Sequence, residues 1–212
     1  MPTSAIMISA CALISAVLAV WSGAKERRPL FRISKPLTTA LIILVALVAP
    51  TPVPAAYKTL ILAGLLCSLA GDIALMLPEK WFVAGLGSFL TAHVFYILAF
   101  KPSPGRPVSA SLLVPFLIFG LLMFRILAPS LGRLKLPVLV YIAAITAMAW
   151  LAAGRFVDLG GTRPLLAFAG AVLFLISDSV LAYDRFVKKF SPAQAVVLGT
   201  YFPAQLLIAL SI

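Results

Sequence analysis

The residues with the clearest chemical potential are two acids set in apolar runs. Asp72 lies in CSLAGDIALM (67–76) and Asp178 in FLISDSVLAY (174–183). A charged Asp at the centre of a membrane helix costs at least about 2.5–3.5 kcal/mol on insertion scales, so such an acid normally faces a bundle interior or a water-filled cavity. Two carboxylates that approach each other in a low dielectric resist double ionisation and share a proton, which supplies an acid and a base together. Proton-driven hydrolysis requires that combination.

Other polar residues sit at spacings that let them serve the acids. Ser68 is four residues before Asp72 and shares its helix face, while Ser177 and Ser179 flank Asp178. Each hydroxyl could orient a carboxyl or a water, although small hydroxyl residues also let helices pack closely in lipid. His93 is the single histidine, and Phe89, His93 and Tyr96 fall on one helix face, as Tyr201 and Gln205 do on another. Lys35, in SKPLTT, is expected to begin a span at the membrane boundary, where its ammonium meets a lipid phosphate or snorkels to water. A hydrolytic zinc site needs about three protein ligands, so a centre built on several histidines is excluded; no metal or organic cofactor is expected.

These side chains need elements to hold them, and the composition says which. Of 212 residues, 63% are hydrophobic and 11% charged, against roughly 25% charged in soluble domains. Runs of about 20 apolar residues match a hydrocarbon core about 30 Å thick. Eight such runs are expected, at roughly 4–22, 36–50, 57–77, 82–100, 109–127, 135–154, 164–182 and 194–211. The expectation is an all-α polytopic membrane protein with a single integral membrane domain over 1–212. The net charge of +11 is spread over short loops between spans, which fits contact with anionic membrane lipids and excludes a basic nucleic-acid-binding domain. Cys11 and Cys67 fall inside expected spans and read as packing residues.

No Lys or Arg precedes Lys25, so the basic start of a secretory signal is missing. With the N-terminus outside, the inner connections collect Lys25, Arg27, Arg28, Arg32, Lys35, Lys80, Arg125, Arg133, Lys135, Arg185, Lys188 and Lys189, and the outer ones Lys58, Lys101, Arg106, Arg155 and Arg163. The positive-inside rule then puts both termini outside; the expected location is a bacterial inner (plasma) membrane. An internal echo runs through the chain: SLAGDIAL (68–75) matches FLISDSVL (174–181), GSFLTAH (87–93) matches GTYFPAQ (199–205), and RISKPL (32–37) more faintly matches RLKLPVL (133–139). It predicts a parallel four-helix repeat with halves 1–108 and 109–212, and puts the two acids at similar depth in the inner half.

SKPLTT, LAGDIAL, GLGSFLTAHVFY, LISDSVLAYDRF and TYFPAQLLI together resemble the YhhN family, the membrane proteins that include lysoplasmalogenase. The resemblance runs from Lys35 to the C-terminus. It implies an eight-helix enzyme that cleaves the vinyl ether bond of lysoplasmalogen, releasing a fatty aldehyde and glycerophosphoethanolamine or glycerophosphocholine. It matches the family's intramembrane aspartates to Asp72 and Asp178, as catalytic residues. The Lys of its KPL motif matches Lys35, and its AH and AQ motifs match His93 and Gln205. Lys35, Ser68, His93, Tyr96, Ser177, Tyr201 and Gln205 are the expected substrate-binding set, with a lysophospholipid as partner. Acid and base roles stay open between the two aspartates. A proton-coupled small-molecule transporter is the alternative, because paired intramembrane carboxylates also run carriers, usually with helices broken near the midplane.

Overall fold

In lipid, backbone N–H and C=O groups have no water to bond, so an apolar chain of this kind must satisfy them within helices. A computed structural model describes residues 3–25, 27–49, 53–102 and 108–212, and among them eight helical segments are long and apolar enough to cross a membrane. Their α-helical parts are α1 (Thr3–Ala24), α2 (Arg28–Val48), α3 (Ala55–Met76), α4 (Phe82–Phe100), α5 (Leu113–Leu127), α6 (Lys135–Leu159), α7 (Thr162–Phe186) and α8 (Ala193–Leu210), and flanking 3-10 turns extend three of them to Glu79–Phe100, Ala110–Ser130 and Gly132–Leu159. Arg106 and position 50, which entered the charge count and the second expected run, lie outside the described residues.

The connections are tight where the sequence breaks helices. Pro78 and a single 3-10 turn at Glu79–Trp81 join α3 to α4. Gly160 (φ +60°) and Gly161 (φ +78°) take up the left-handed backbone that ends α6 and starts α7 at Thr162. Lys58 Nζ donates to the Leu47 and Ala49 carbonyls (2.9 and 3.0 Å), which closes the C-terminal end of α2.

The second span begins a full two turns earlier than the apolar run implied. Arg28-Pro29 starts α2, since a proline in the first turn loses no helical N–H, and Pro36 is carried inside the helix. Lys35 is therefore well inside α2 and 8% exposed, not at the start of the helix. α7 likewise runs to Phe186, past the expected end at 182, so Asp178 lies two turns from its helix end while Asp72 lies one turn from the end of α3.

The burial pattern is that of a membrane bundle. Ile14, Val17, Ile118 and Leu121 face outward, while Ser15, Ser22, Ser34 and Thr38 are buried in the seam of α1 and α2. Thr38 Oγ1 and Ser15 Oγ are 2.8 Å apart across that seam, as expected where hydrogen bonds and small residues replace the hydrophobic effect between helices. α8 packs on α1, α2, α3 and α7, α6 packs between α4 and α7, and α5 lies outside against α6. α3 and α4 approach closely through Gly64 and Gly71, where an added Cβ would lie 2.3 Å from the Tyr96 ring and 2.6 Å from the Phe89 ring.

Gly64→Val is therefore expected to destabilise the bundle by about 1–3 kcal/mol through overpacking, whereas Gly87→Ala, with open space at its Cβ, should be neutral. Unfolding midpoints in non-ionic detergent check the contrast; equal midpoints for the two variants would contradict the packing.

Candidate active site

Helices α2 and α8 bring partners to Asp72 of α3. From α2, Lys35 Nζ stands 3.2 Å from Asp72 Oδ1, and Thr39, one turn on, donates to Oδ2 at 2.6 Å. From α8, Tyr201 donates to the same oxygen at 2.7 Å. The relay continues outward from the acid: Gln205 Nε2 donates to Tyr201 (3.2 Å), and Tyr96 of α4 donates to Gln205 Oε1 (2.8 Å). The carboxyl is 1% exposed; both hydroxyl donors converge on Oδ2, while Oδ1 has the Lys35 ammonium as its ion-pair partner and no hydrogen bond among the described residues.

Asp178 has a different company. Tyr141 of α6 donates its hydroxyl to Oδ2. His93 Nε2 lies 3.8 Å from the same oxygen, too far for a hydrogen bond. Neither His93 nitrogen has a hydrogen-bond partner among the described residues; the ring is gripped edge-on by Tyr141 and Phe174, with centroids 5.1 and 4.8 Å away. No Lys or Arg ion pair reaches Asp178 among the described residues.

Both acids open on one cavity of about 270 Å³, which Lys35, Ser177 and Tyr201 also line. Asp178 borders, in addition, a narrow apolar crevice of about 60 Å³ between α4, α5, α6 and α7, walled by residues such as Phe119, Met123 and Ile142. Asp72 does not reach that crevice. The acids thus stand where a cavity with charged residues in its wall meets an apolar slot, and only one of them faces both.

The structure brings Lys35, Asp72, Ser177, Asp178 and Tyr201 together at the cavity wall. Ser68, His93, Tyr96 and Gln205 are fully buried and are not among its lining residues. Ser177 lines it, but its hydroxyl is committed to the Val197 carbonyl of α8 (3.0 Å). Lys35 is not free for a lipid phosphate, because Asp72 holds it.

Thr39 and Tyr141 are the residues that sequence reasoning missed. A signal existed: each lies two residues beyond the leucine that closes the faint echo, Leu37 in RISKPL and Leu139 in RLKLPVL. Each carries a hydroxyl to the acid of the following helix. The acid of α7 has no counterpart of Lys35, and that is where the two halves of the site differ.

Comparison with known proteins finds the YhhN family model matching residues 30–212. The chain is similar to lysoplasmalogenase TMEM86B of Homo sapiens, 39% identical over 165 residues, which cover 73% of this chain and 64% of that protein. The Mus musculus lysoplasmalogenase TMEM86B is 38% identical over 160 residues, 74% of this chain and 66% of that protein. The membrane protein YhhN of Escherichia coli O157:H7 is 31% identical over 204 residues, 94% of this chain and 97% of that protein. The matched region spans just under two thirds of the length of these two mammalian relatives. No solved structure matches the chain.

Removing one member of a buried ion pair typically costs about 3–5 kcal/mol, because the other charge is stranded. Lys35→Met is expected to lose stability of that order, and Lys35→Met combined with Asp72→Asn to lose clearly less than the sum of the single changes. Detergent-unfolding free energies arranged as a double-mutant cycle measure this; additive losses would mean the pair is not coupled.

Proposed function

The chain belongs to the YhhN family, and from that premise we propose that it is a membrane hydrolase that cleaves the vinyl ether bond of a lysoplasmalogen, giving a fatty aldehyde and glycerophosphoethanolamine or glycerophosphocholine. Relatives named lysoplasmalogenase support the substrate class. The observation that carries the reading is a pair of carboxyl groups on one cavity with unlike partners, one of them also facing an apolar slot.

A vinyl ether is hydrolysed by protonating its β-carbon, which lies on the chain side of the ether oxygen. The resulting oxocarbenium ion takes up water, and the hemiacetal collapses to aldehyde and alcohol. In this proposal Asp178, at the mouth of the apolar crevice, is the proton-bearing acid, and Asp72, held as a carboxylate by Lys35, steadies the cation and accepts a proton from the attacking water. Collapse reverses the traffic: Asp72 returns its proton to the departing glycerol oxygen, and Asp178 takes the hemiacetal hydroxyl proton. Both acids regain their starting states, and the sum is one water consumed. The division of labour is that of paired carboxylates in glycoside hydrolysis, where the transition state is also an oxocarbenium ion.

The other site residues take supporting parts. Thr39 and Tyr201 fix the rotamer of Asp72, and Gln205 with Tyr96 fixes Tyr201. Tyr141 orients Asp178, with the His93 ring wedged against it. Ser177 ties α7 to α8 beside Asp178 through the Val197 carbonyl, and Ser68 is buried one turn before Asp72. The crevice accommodates the part of the chain next to the ether, and the remaining methylenes run on into hydrocarbon.

The parallel repeat and the orientation belong to the same proposal. Equivalent acids in α3 and α7, each receiving a hydroxyl from the preceding helix, support the repeat. The excess of Lys and Arg at the end of the bundle that carries Arg28, Arg32 and Arg185 supports termini outside and a site opening inward, in the bacterial inner membrane. α3 and α8 run unbroken through Gly71 and Pro203, which favours a hydrolase over a carrier with interrupted helices.

Asp178→Asn and Asp72→Asn are each expected to lower aldehyde release from a 1-alkenyl lysophospholipid by at least about 100-fold. The Asp178→Asn protein should unfold like the parent. Tyr141→Phe should fall between parent and Asp178→Asn. Aldehyde, not fatty acid, is the product to be measured against an ester lysolipid of equal chain length; undiminished turnover in either Asn variant, or preferential fatty-acid release, contradicts the assignment.

A further inference from the structure

The cavity with the two acids leads into a third space, and its chemistry completes a binding path. This vestibule of about 430 Å³ shares Phe31, Leu75, Met76 and Gln194 with the acid cavity and is lined by Arg28 and Arg32. The two arginines are one turn apart on α2, at its N-terminal end, and they lie about 10 and 4.5 Å along the helix axis from Lys35. Among the described residues no acid lines the vestibule and neither guanidinium has an acidic partner. We infer that the Arg28–Arg32 vestibule is the binding site for the phosphodiester of the lysophospholipid, outward of the acids on the same helix that charges Asp72.

The inference rests on the lysophospholipid reading and adds the place where the headgroup is held. Charge decides that place. Asp72, Asp178 and Asp184 all line the middle cavity, whose one ammonium is already bound to Asp72, so a phosphate finds no free cation at that level and meets Asp184 there. One step outward the field reverses, with two forked donors that match phosphate oxygens in pairs and the positive end of a 21-residue helix. The order of the three spaces follows the order of groups in the lipid: apolar slot for the alkenyl chain, acids for the ether, and guanidiniums for the phosphate beyond the glycerol. With the phosphate anchored there, the ether oxygen is drawn back to the level of Asp72 and Asp178.

The test uses a ligand that the site cannot cleave. A 1-O-alkyl glycerophosphoethanolamine has no vinyl group to protonate, so its binding is independent of turnover. In non-ionic detergent, Arg28→Gln combined with Arg32→Gln is expected to raise its Kd at least tenfold, leaving unchanged the Kd of 1-O-alkylglycerol, which lacks the phosphate. Arg133→Gln, an exposed basic residue at the same end of the bundle, should change neither. Water-soluble glycerophosphoethanolamine should compete with the lipid in the parent only at much higher concentration, because it lacks the chain; competition as strong as that of the lipid would mean a site for free phosphodiesters and overturn the assignment to a lipid. Equal Kd values for the lipid in parent and double variant, parallel loss of both ligands, or the same loss in Arg133→Gln would also overturn it. If the lipid binds as expected but no vinyl ether is cleaved, the phosphate site stands and the hydrolase reading falls.

Discussion

An ammonium and a carboxylate 3.2 Å apart inside a helix bundle, with 8% and 1% of their residues exposed, set the terms for everything around them. Neither charge could be buried alone, since an unpaired ion in this setting is destabilising by several kcal/mol. The pair therefore dictates that α2 and α3 run side by side at this level. It also explains why Thr39 and Tyr201 turn inward: an ammonium covers one oxygen, and the remaining lone pairs need donors.

The same pair makes the two acids unequal. By topology and spacing Asp72 and Asp178 look alike, yet one carboxyl has a cation and the other has a phenol and a distant imidazole. Inequality of this kind is how one site offers an acid and a base at a single pH. The surrounding spaces reinforce the difference, since Asp178 adjoins the apolar slot and Asp72 only the cavity with charged residues in its wall. A lipid whose reacting carbons lie at the border of chain and headgroup would be held across that division.

Much of the architecture could be read from composition and run length, because the bilayer thickness constrains spans more strongly than packing does. The errors came at helix ends. The charged start of α2 looked like a loop, since Arg28 and Arg32 are costly in hydrocarbon, but they lie at the rim and the helix passes through them and Pro36. That error put Lys35 at the start of the helix and hid its partner. Asp72, Asp178 and Tyr201 were legible because a polar group in an apolar helix demands an explanation. Thr39 and Tyr141 were not, because a threonine or a tyrosine in a membrane helix is unremarkable until a partner on another helix is known. His93, the most conspicuous single residue in the chain, proved to be a buried ring beside the acid, outside the cavity wall.

The central claim is that Lys35 holds Asp72 ionised and leaves the proton on Asp178. Infrared difference spectroscopy of the intact protein in detergent reads this directly through the carbonyl stretch of a protonated carboxylic acid in an apolar setting. The account predicts that this band is present near neutral pH, disappears in Asp178→Asn and persists in Asp72→Asn. A band that survives in Asp178→Asn and vanishes in Asp72→Asn would contradict it.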